Sequence, residues 1–108
     1  MTRAYLALGG NLGDVAGEFL TALRALEAAE GVTLVAISRV YRTPPWGVTD
    51  QPDFLNMAAA IDTILSTRAL LELCLRIEKT SGRVRDWLAQ ADASGVRVDD
   101  EATARVRA

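Results

Sequence analysis

Five segments with distinct hydrophobic periods succeed one another in the order strand, helix, strand, strand, helix, and that order leaves the chain few folds to choose from. "AYLALGG", residues 4 to 10, is a short apolar run ending in glycines, as expected of a buried strand that turns sharply. "NLGDVAGEFLTALRALEAAEG" then changes to a helical period. Val15, Phe19, Leu23 and Leu26 fall on one stripe, with Asp14 placed as a cap and Gly31 as a stop. "VTLVAISRVYRT", residues 32 to 43, is rich in β-branched residues, and "DFLNMAAAIDTI" comes next as a second extended segment able to pair with it antiparallel. "STRALLELCLRIEKTSG" is the second helix, with Ser66 as N-cap, a stripe through Leu70, Leu73, Cys74 and Ile77, and Gly82 closing it.

The order is most of a split βαβ, or ferredoxin-like, layout: an α+β fold with an antiparallel sheet and two helices packed on one face. A fourth strand should come after the second helix. The chain continues instead with "RVRDWLAQADASGVRVDDEATARVRA", so that strand is missing or replaced by the tail, in which residues 95 to 99 could extend briefly. We therefore read residues 1–85 as the domain and 86–108 as a divergent tail. A sheet without its fourth strand leaves one edge open, which either the "GVRVD" segment or a second copy of the chain would pair with, giving a homodimer in the latter case.

Composition narrows the chemistry. Histidine is absent and Cys74 is the single cysteine, so a zinc site, an imidazole-based triad and an internal disulfide have nothing to be made from. Cys74 falls within a helical stripe and reads as a small buried hydrophobe. A net charge of −2 gives no basic field to draw in nucleic acid, and no apolar run reaches the ~20 residues of a membrane span. A soluble, cytoplasmic protein is expected.

Four places could carry chemistry. "GGNLGD" is a glycine-rich turn that could hold an anion at a helix N-terminus or be a plain tight turn. Phe54 and Asn56 lie two apart, so they share one strand face while Leu55, Met57, Ala59 and Ile61 face the core. An aromatic plane beside an amide suits a flat heteroaromatic ring with polar edges; the alternative is that Phe54 caps a core edge and Asn56 bonds loop backbone. Arg83 and Arg85 would offer two guanidinium forks to phosphate oxygens, or else complement a helix C-terminus. Glu78, one turn earlier, is suited to an ion pair or to contact with a nucleotide.

"YLALGGNLGD", "YRTPPWGVTDQPDFLN" and "RIEKTSGRVR", in this order and at these separations, closely resemble the hydroxymethyldihydropterin pyrophosphokinase family of folate biosynthesis. The resemblance covers roughly residues 2 to 85. It implies transfer of pyrophosphate from ATP to the hydroxymethyl group of a dihydropterin. It places the pterin ring against Phe54 and Asn56, with Gly9 and Asn11 below and the Thr43, Pro44 and Trp46 loop closing over it. Arg83 and Arg85 would face the ATP phosphates in catalysis, with Glu78 near the nucleotide. Dihydropterin and ATP are thus the implied partners, and Mg²⁺ with ATP the implied cofactor.

The family holds its magnesium ions on an Asp-x-Asp strand, and no such ligands are found in this sequence. Adjacent Asp99 and Asp100 would point to opposite faces of a strand and make a poor substitute. Leu75 stands where the family usually has glutamine. Three readings are open: a pyrophosphokinase, a catalytically inactive relative that at most binds pterin, or a small interaction module without a ligand.

Overall fold

The computed structural model describes residues 1–45, 50–81 and 97–107, with the side chains of Thr80 and Ser81 outside that description. The elements, in chain order, are β1 (Thr2–Gly10), α1 (Val15–Ala28), β2 (Val32–Ile37), β3 (Tyr41–Thr43), β4 (Phe54–Thr63), α2 (Thr67–Ser81), β5 (Arg97–Val98) and α3 (Asp100–Arg107). The α+β antiparallel sheet and its ferredoxin-like core are as the sequence pattern requires.

The sheet is organised around β4. One edge of β4 pairs with β1 along the whole strand, from Thr2 opposite Thr63 to Gly10 opposite Leu55. Its other edge carries β2 opposite residues 59–63 and β3 opposite residues 54–56. Residues 32 to 43, which read as one extended run, are therefore two strands sharing one partner. The pairing slips by one residue between Leu34 and Ala36. It slips again before Tyr41, since Ile37 opposes Ala59 and Tyr41 opposes Asn56. At this second interruption Ser38 replaces the missing ladder contact: its N–H donates to the Ala58 carbonyl at 2.8 Å, and its hydroxyl accepts from the Ala58 N–H at 2.8 Å. Both backbone groups of Ala58 are thereby satisfied, which is why β4 stays continuous past the break.

Alternation in β4 separates the two faces. Met57, Ala59, Ile61 and Thr63 are buried, whereas Phe54, Asn56, Ala60 and Asp62 are only half-buried and Ala58 is exposed. The buried face packs with Leu8 of β1 beneath α1, whose Val15, Phe19, Leu23 and Leu26 all enter the core as the helical stripe predicts. Asp14 caps α1 by accepting from the Gly17 N–H, and Ser66 caps α2 by accepting from the Ala69 N–H. Chain reversal after α1 falls to Gly31, whose φ of 81° is open to glycine at no steric cost. From α2, Ile77 reaches the core, and Cys74 is half-buried rather than enclosed, lining a small void with Leu6, Leu8, Ala22, Leu26 and Ile77.

Two expectations for the tail change. First, the described part of "GVRVD", Arg97 to Asp99, does not fill the edge that a split βαβ leaves for its fourth strand. That edge is the outer side of β1, since a strand entering after α2 would run parallel to β4 with β1 between them. Arg97 and Val98 instead pair with Arg42 and Tyr41 of β3, at the opposite side of the sheet. Among the described residues nothing pairs with the outer edge of β1. Second, a third helix joins the two expected. Ala102 and Val106, one turn apart on α3, are each 5% exposed and belong to the same core as α1. Burial of this apolar pair with the α1 stripe holds α3 in the helical layer, next to the β5 strand paired on β3.

Phe19, 3% exposed at the centre of this core, should be the most costly single truncation. Phe19→Ala is expected to lower the unfolding free energy by about 3–5 kcal/mol in urea titrations monitored by circular dichroism. A loss below about 1 kcal/mol would contradict the packing of α1 on the sheet.

Candidate functional site

The register of β4 assembles the candidate site. Gly9 and Tyr41 both oppose Asn56, one from each side, and Thr43 opposes Phe54. Opposed residues in an antiparallel pair share a face, so Gly9, Tyr41, Thr43, Phe54 and Asn56 lie together at one end of the solvent side of the sheet. Phe54 and Asn56 are turned away from the aliphatic core, as the alternation requires. The Asn56 Nδ2 donates to the Thr43 hydroxyl at 3.0 Å, which fixes the orientation of the amide plane. Gly9 is buried although it has no side chain, near the end of β1 where the chain turns toward α1.

Asn11 bonds across to the far side of the proline-rich loop, donating through Nδ2 to Gln51 Oε1 at 3.2 Å and to the Pro52 carbonyl at 3.4 Å. Pro44 is exposed at the start of that loop. Six of the candidate residues, Gly9, Asn11, Thr43, Pro44, Phe54 and Asn56, thus converge on one end of one face. Glu78 does not join them; it is half-buried on α2, in the helical layer. Trp46, Arg83 and Arg85 lie outside the described residues.

The "GGNLGD" turn resolves toward the simpler of its two readings. Gly13 takes a φ of 73°, a conformation that favours glycine, and the α1 N-terminus behind it is already supplied with a negative charge. Asp14 caps the helix and accepts two hydrogen bonds from Arg105 of α3, at 2.7 and 2.9 Å. The Arg105 guanidinium is the main reason the Asp14 carboxyl titrates below the usual carboxylate range.

Sequence reasoning did not find a second array of charges, directly behind the site. Arg42 lies between Tyr41 and Thr43 and so points to the opposite face. Its Nε donates to Asp99 Oδ2 at 3.1 Å, its Nη2 to the same oxygen at 2.5 Å, and its Nη1 lies 3.9 Å from Asp53. Arg97 reaches Asp53 at 3.5 Å. The other Asp99 oxygen caps α3 by accepting from the Ala102 N–H at 2.9 Å. That capping bond, and after it the Arg42 contact, holds the Asp99 carboxyl below its ordinary range. Tyr41 was legible by alternation with Thr43; Arg42 and Asp99, 57 residues apart, carried no local signal.

Among the described residues no three acidic, cysteine or histidine side chains stand close enough to hold a metal ion. Asp99 is occupied by Arg42 and the α3 N-terminus, and Asp100 belongs to the first turn of that helix. The described carboxylates do not fit a magnesium site.

The family model for 7,8-dihydro-6-hydroxymethylpterin-pyrophosphokinase matches residues 5–96. The chain belongs to that family. A 2-amino-4-hydroxy-6-hydroxymethyldihydropteridine pyrophosphokinase of Methylorubrum extorquens is 57% identical over 86 residues, covering 80% of this chain and 54% of the relative. Proteins of the same name from Pseudomonas aeruginosa and Bacillus subtilis are 44% and 43% identical, covering 78% and 77% of this chain and 52% and 50% of their own. The chain spans about half the length of the curated relatives it matches.

Acid should expose the contribution of Asp99. Its folded-state pKa lies below the unfolded value, so the folded chain binds a proton there less readily than the unfolded one. The stabilisation is complete above the ordinary carboxylate pKa of about 4 and is lost as pH falls below it. The urea midpoint is expected to fall between about pH 6 and about pH 3, and to fall less in Asp99→Asn. An identical fall in the variant would show that Asp99 is not among the groups responsible.

Proposed function

We propose that the sheet face bearing Gly9, Asn11, Thr43, Pro44, Phe54 and Asn56 seats a dihydropterin, and that the protein transfers pyrophosphate from ATP to the hydroxymethyl group of that ring. The observation that carries this reading is the oriented Asn56 amide beside the Phe54 side chain, within a segment that matches the family. Thr43 accepts from Nδ2, so the Asn56 carbonyl oxygen is aimed to accept from a ring N–H, while Phe54 offers area for stacking. Gly9 lets the ring approach the backbone of β1. Arg83 and Arg85, by their place in the family signature, are the cations for the ATP phosphates, with Glu78 near the nucleotide.

In the transfer, the pterin hydroxyl oxygen bonds to the β-phosphorus of ATP and gives up its proton to solvent, the bond from that phosphorus to the bridging oxygen of the α-phosphate breaks, and AMP leaves. The alternative of an inactive pterin binder finds no support in the relatives, which carry the name of the enzyme. No helix among the described residues is long and apolar enough to cross a membrane. A cytoplasmic setting with its supply of ATP accords with the proposed reaction.

Incubation with ATP, magnesium and 6-hydroxymethyl-7,8-dihydropterin should release AMP and form the pterin pyrophosphate in equal amounts, read by chromatography. Absence of AMP would remove the catalytic half of the proposal. Asn56→Ala should weaken pterin binding by about 1–3 kcal/mol in calorimetry, since a polar ring edge would lose its partner. Undiminished affinity would show that the ring lies elsewhere.

A further inference from the structure

The strand that presents Thr43 is poorly held by its neighbours in sequence. β3 is three residues long, comes after two slips in register, and runs into Pro44 and Pro45, neither of which has an N–H to donate. Its pairing with β4 covers only Tyr41, Arg42 and Thr43. Yet the orientation of Asn56 depends on where this strand puts the Thr43 hydroxyl.

The tail supplies what β3 lacks. Asp99 N–H donates to the Val40 carbonyl at 2.8 Å, and the Val40 N–H donates to the Thr103 hydroxyl at 2.9 Å, so the residue entering β3 is bonded at both backbone groups. From the helix side, the Arg42 guanidinium bonds Asp99 and faces Asp53. Arg42 immediately precedes Thr43, and Asp53 immediately precedes Phe54. The charges therefore grip both strands of the seat one residue away from the two side chains that face the solvent. Asp99 is the centre of this grip: its side chain is only 11% exposed, one oxygen taking Arg42 and the other the Ala102 N–H.

We propose that Asp99 is a positioning residue for the pterin seat, acting through Arg42 to hold Thr43 where it orients the Asn56 amide. This inference rests on the proposed pterin site, but its mechanical core, the link from Asp99 to the Asn56 amide, can be read without any ligand. The two oxygens of Asp99 divide its roles, and Asp99→Asn separates them. Asparagine is as good an N-cap as aspartate, so its carbonyl oxygen retains the bond from Ala102 and preserves α3. Its NH₂ group then faces Arg42, donor against donor, so the side-chain hold on Arg42 is lost while the backbone bonds to Val40 remain.

The experiment tracks the Asn56 side-chain NH₂ resonances by ¹H–¹⁵N spectroscopy, together with thermal unfolding and calorimetric affinity for 6-hydroxymethyl-7,8-dihydropterin. In Asp99→Asn the Asn56 resonances are expected to move or broaden and Kd to rise roughly threefold to tenfold. The Tm should fall by no more than about 5 °C. Unmoved Asn56 resonances in the folded variant would overturn the proposal, because a merely stabilising Asp99 would lower Tm and leave that amide unchanged. Should Asp99→Asn fail to fold, Arg42→Lys, which keeps the charge but not the fork, is read by the same resonances with the same two outcomes. Asn56→Ala keeps the failures apart: undiminished pterin affinity there sinks the pterin reading, while the Asn56 resonances of the other variants still decide the positioning role.

Discussion

Double-sided pairing of β4 is the constraint on which the rest of the molecule depends. A ten-residue strand with neighbours on both edges has no freedom to slide, since a shift of one residue would put Met57, Ala59 and Ile61 into water and Phe54 and Asn56 into the core. The hydrophobic effect thereby locks the polar face as firmly as the apolar one. Gly9 from β1 and Thr43 from β3 have no contact in sequence, and they meet because each is registered on the same strand. The site is a consequence of the ladder.

The helix caps show a related economy. Asp14 and Asp99 each begin a helix, and each also binds an arginine from another element: Arg105 of α3 for Asp14, Arg42 of β3 for Asp99. A carboxylate at an N-terminus already satisfies backbone donors, and an arginine partner adds long-range specificity to what is otherwise a local device. Ala102 and Val106 are the buried side chains of α3, a small apolar anchor for an eight-residue helix. The two arginine bridges tie that anchored helix to α1 and to β3.

Legibility in the sequence depends on the range over which each signal acts. The faces of residues 54–63 and the stripe of α1 can be read directly, because alternation and helical period are local and burial enforces them. The caps Asp14 and Ser66 are legible for the same reason. Residues 32–43 read as one strand because their β-branched composition is continuous, and nothing in it marks a slip that arises from pairing with β4. The tail is least legible. Adjacent acids such as Asp99 and Asp100 invite comparison with metal ligands, whereas Asp99 follows a two-residue strand and caps a helix, and its other oxygen is held by Arg42 across 57 positions of chain. Likewise, the extension of Arg97 and Val98 is foreseeable from alternation, but the edge they join depends on contacts distant in sequence.

The slips along β2 and β3 have an evolutionary side. Each places a surplus residue opposite an intact partner strand, so removing that surplus would restore ordinary pairing and return every later side chain to the face it already occupies. Val35 and the exposed Arg39, between the bonded Ser38 and the buried Val40, are therefore the places where a homologous chain can differ in length and keep Thr43 beside Asn56. β4 has no such slack; a single insertion between Asn56 and Ile61 would turn one end of the strand over.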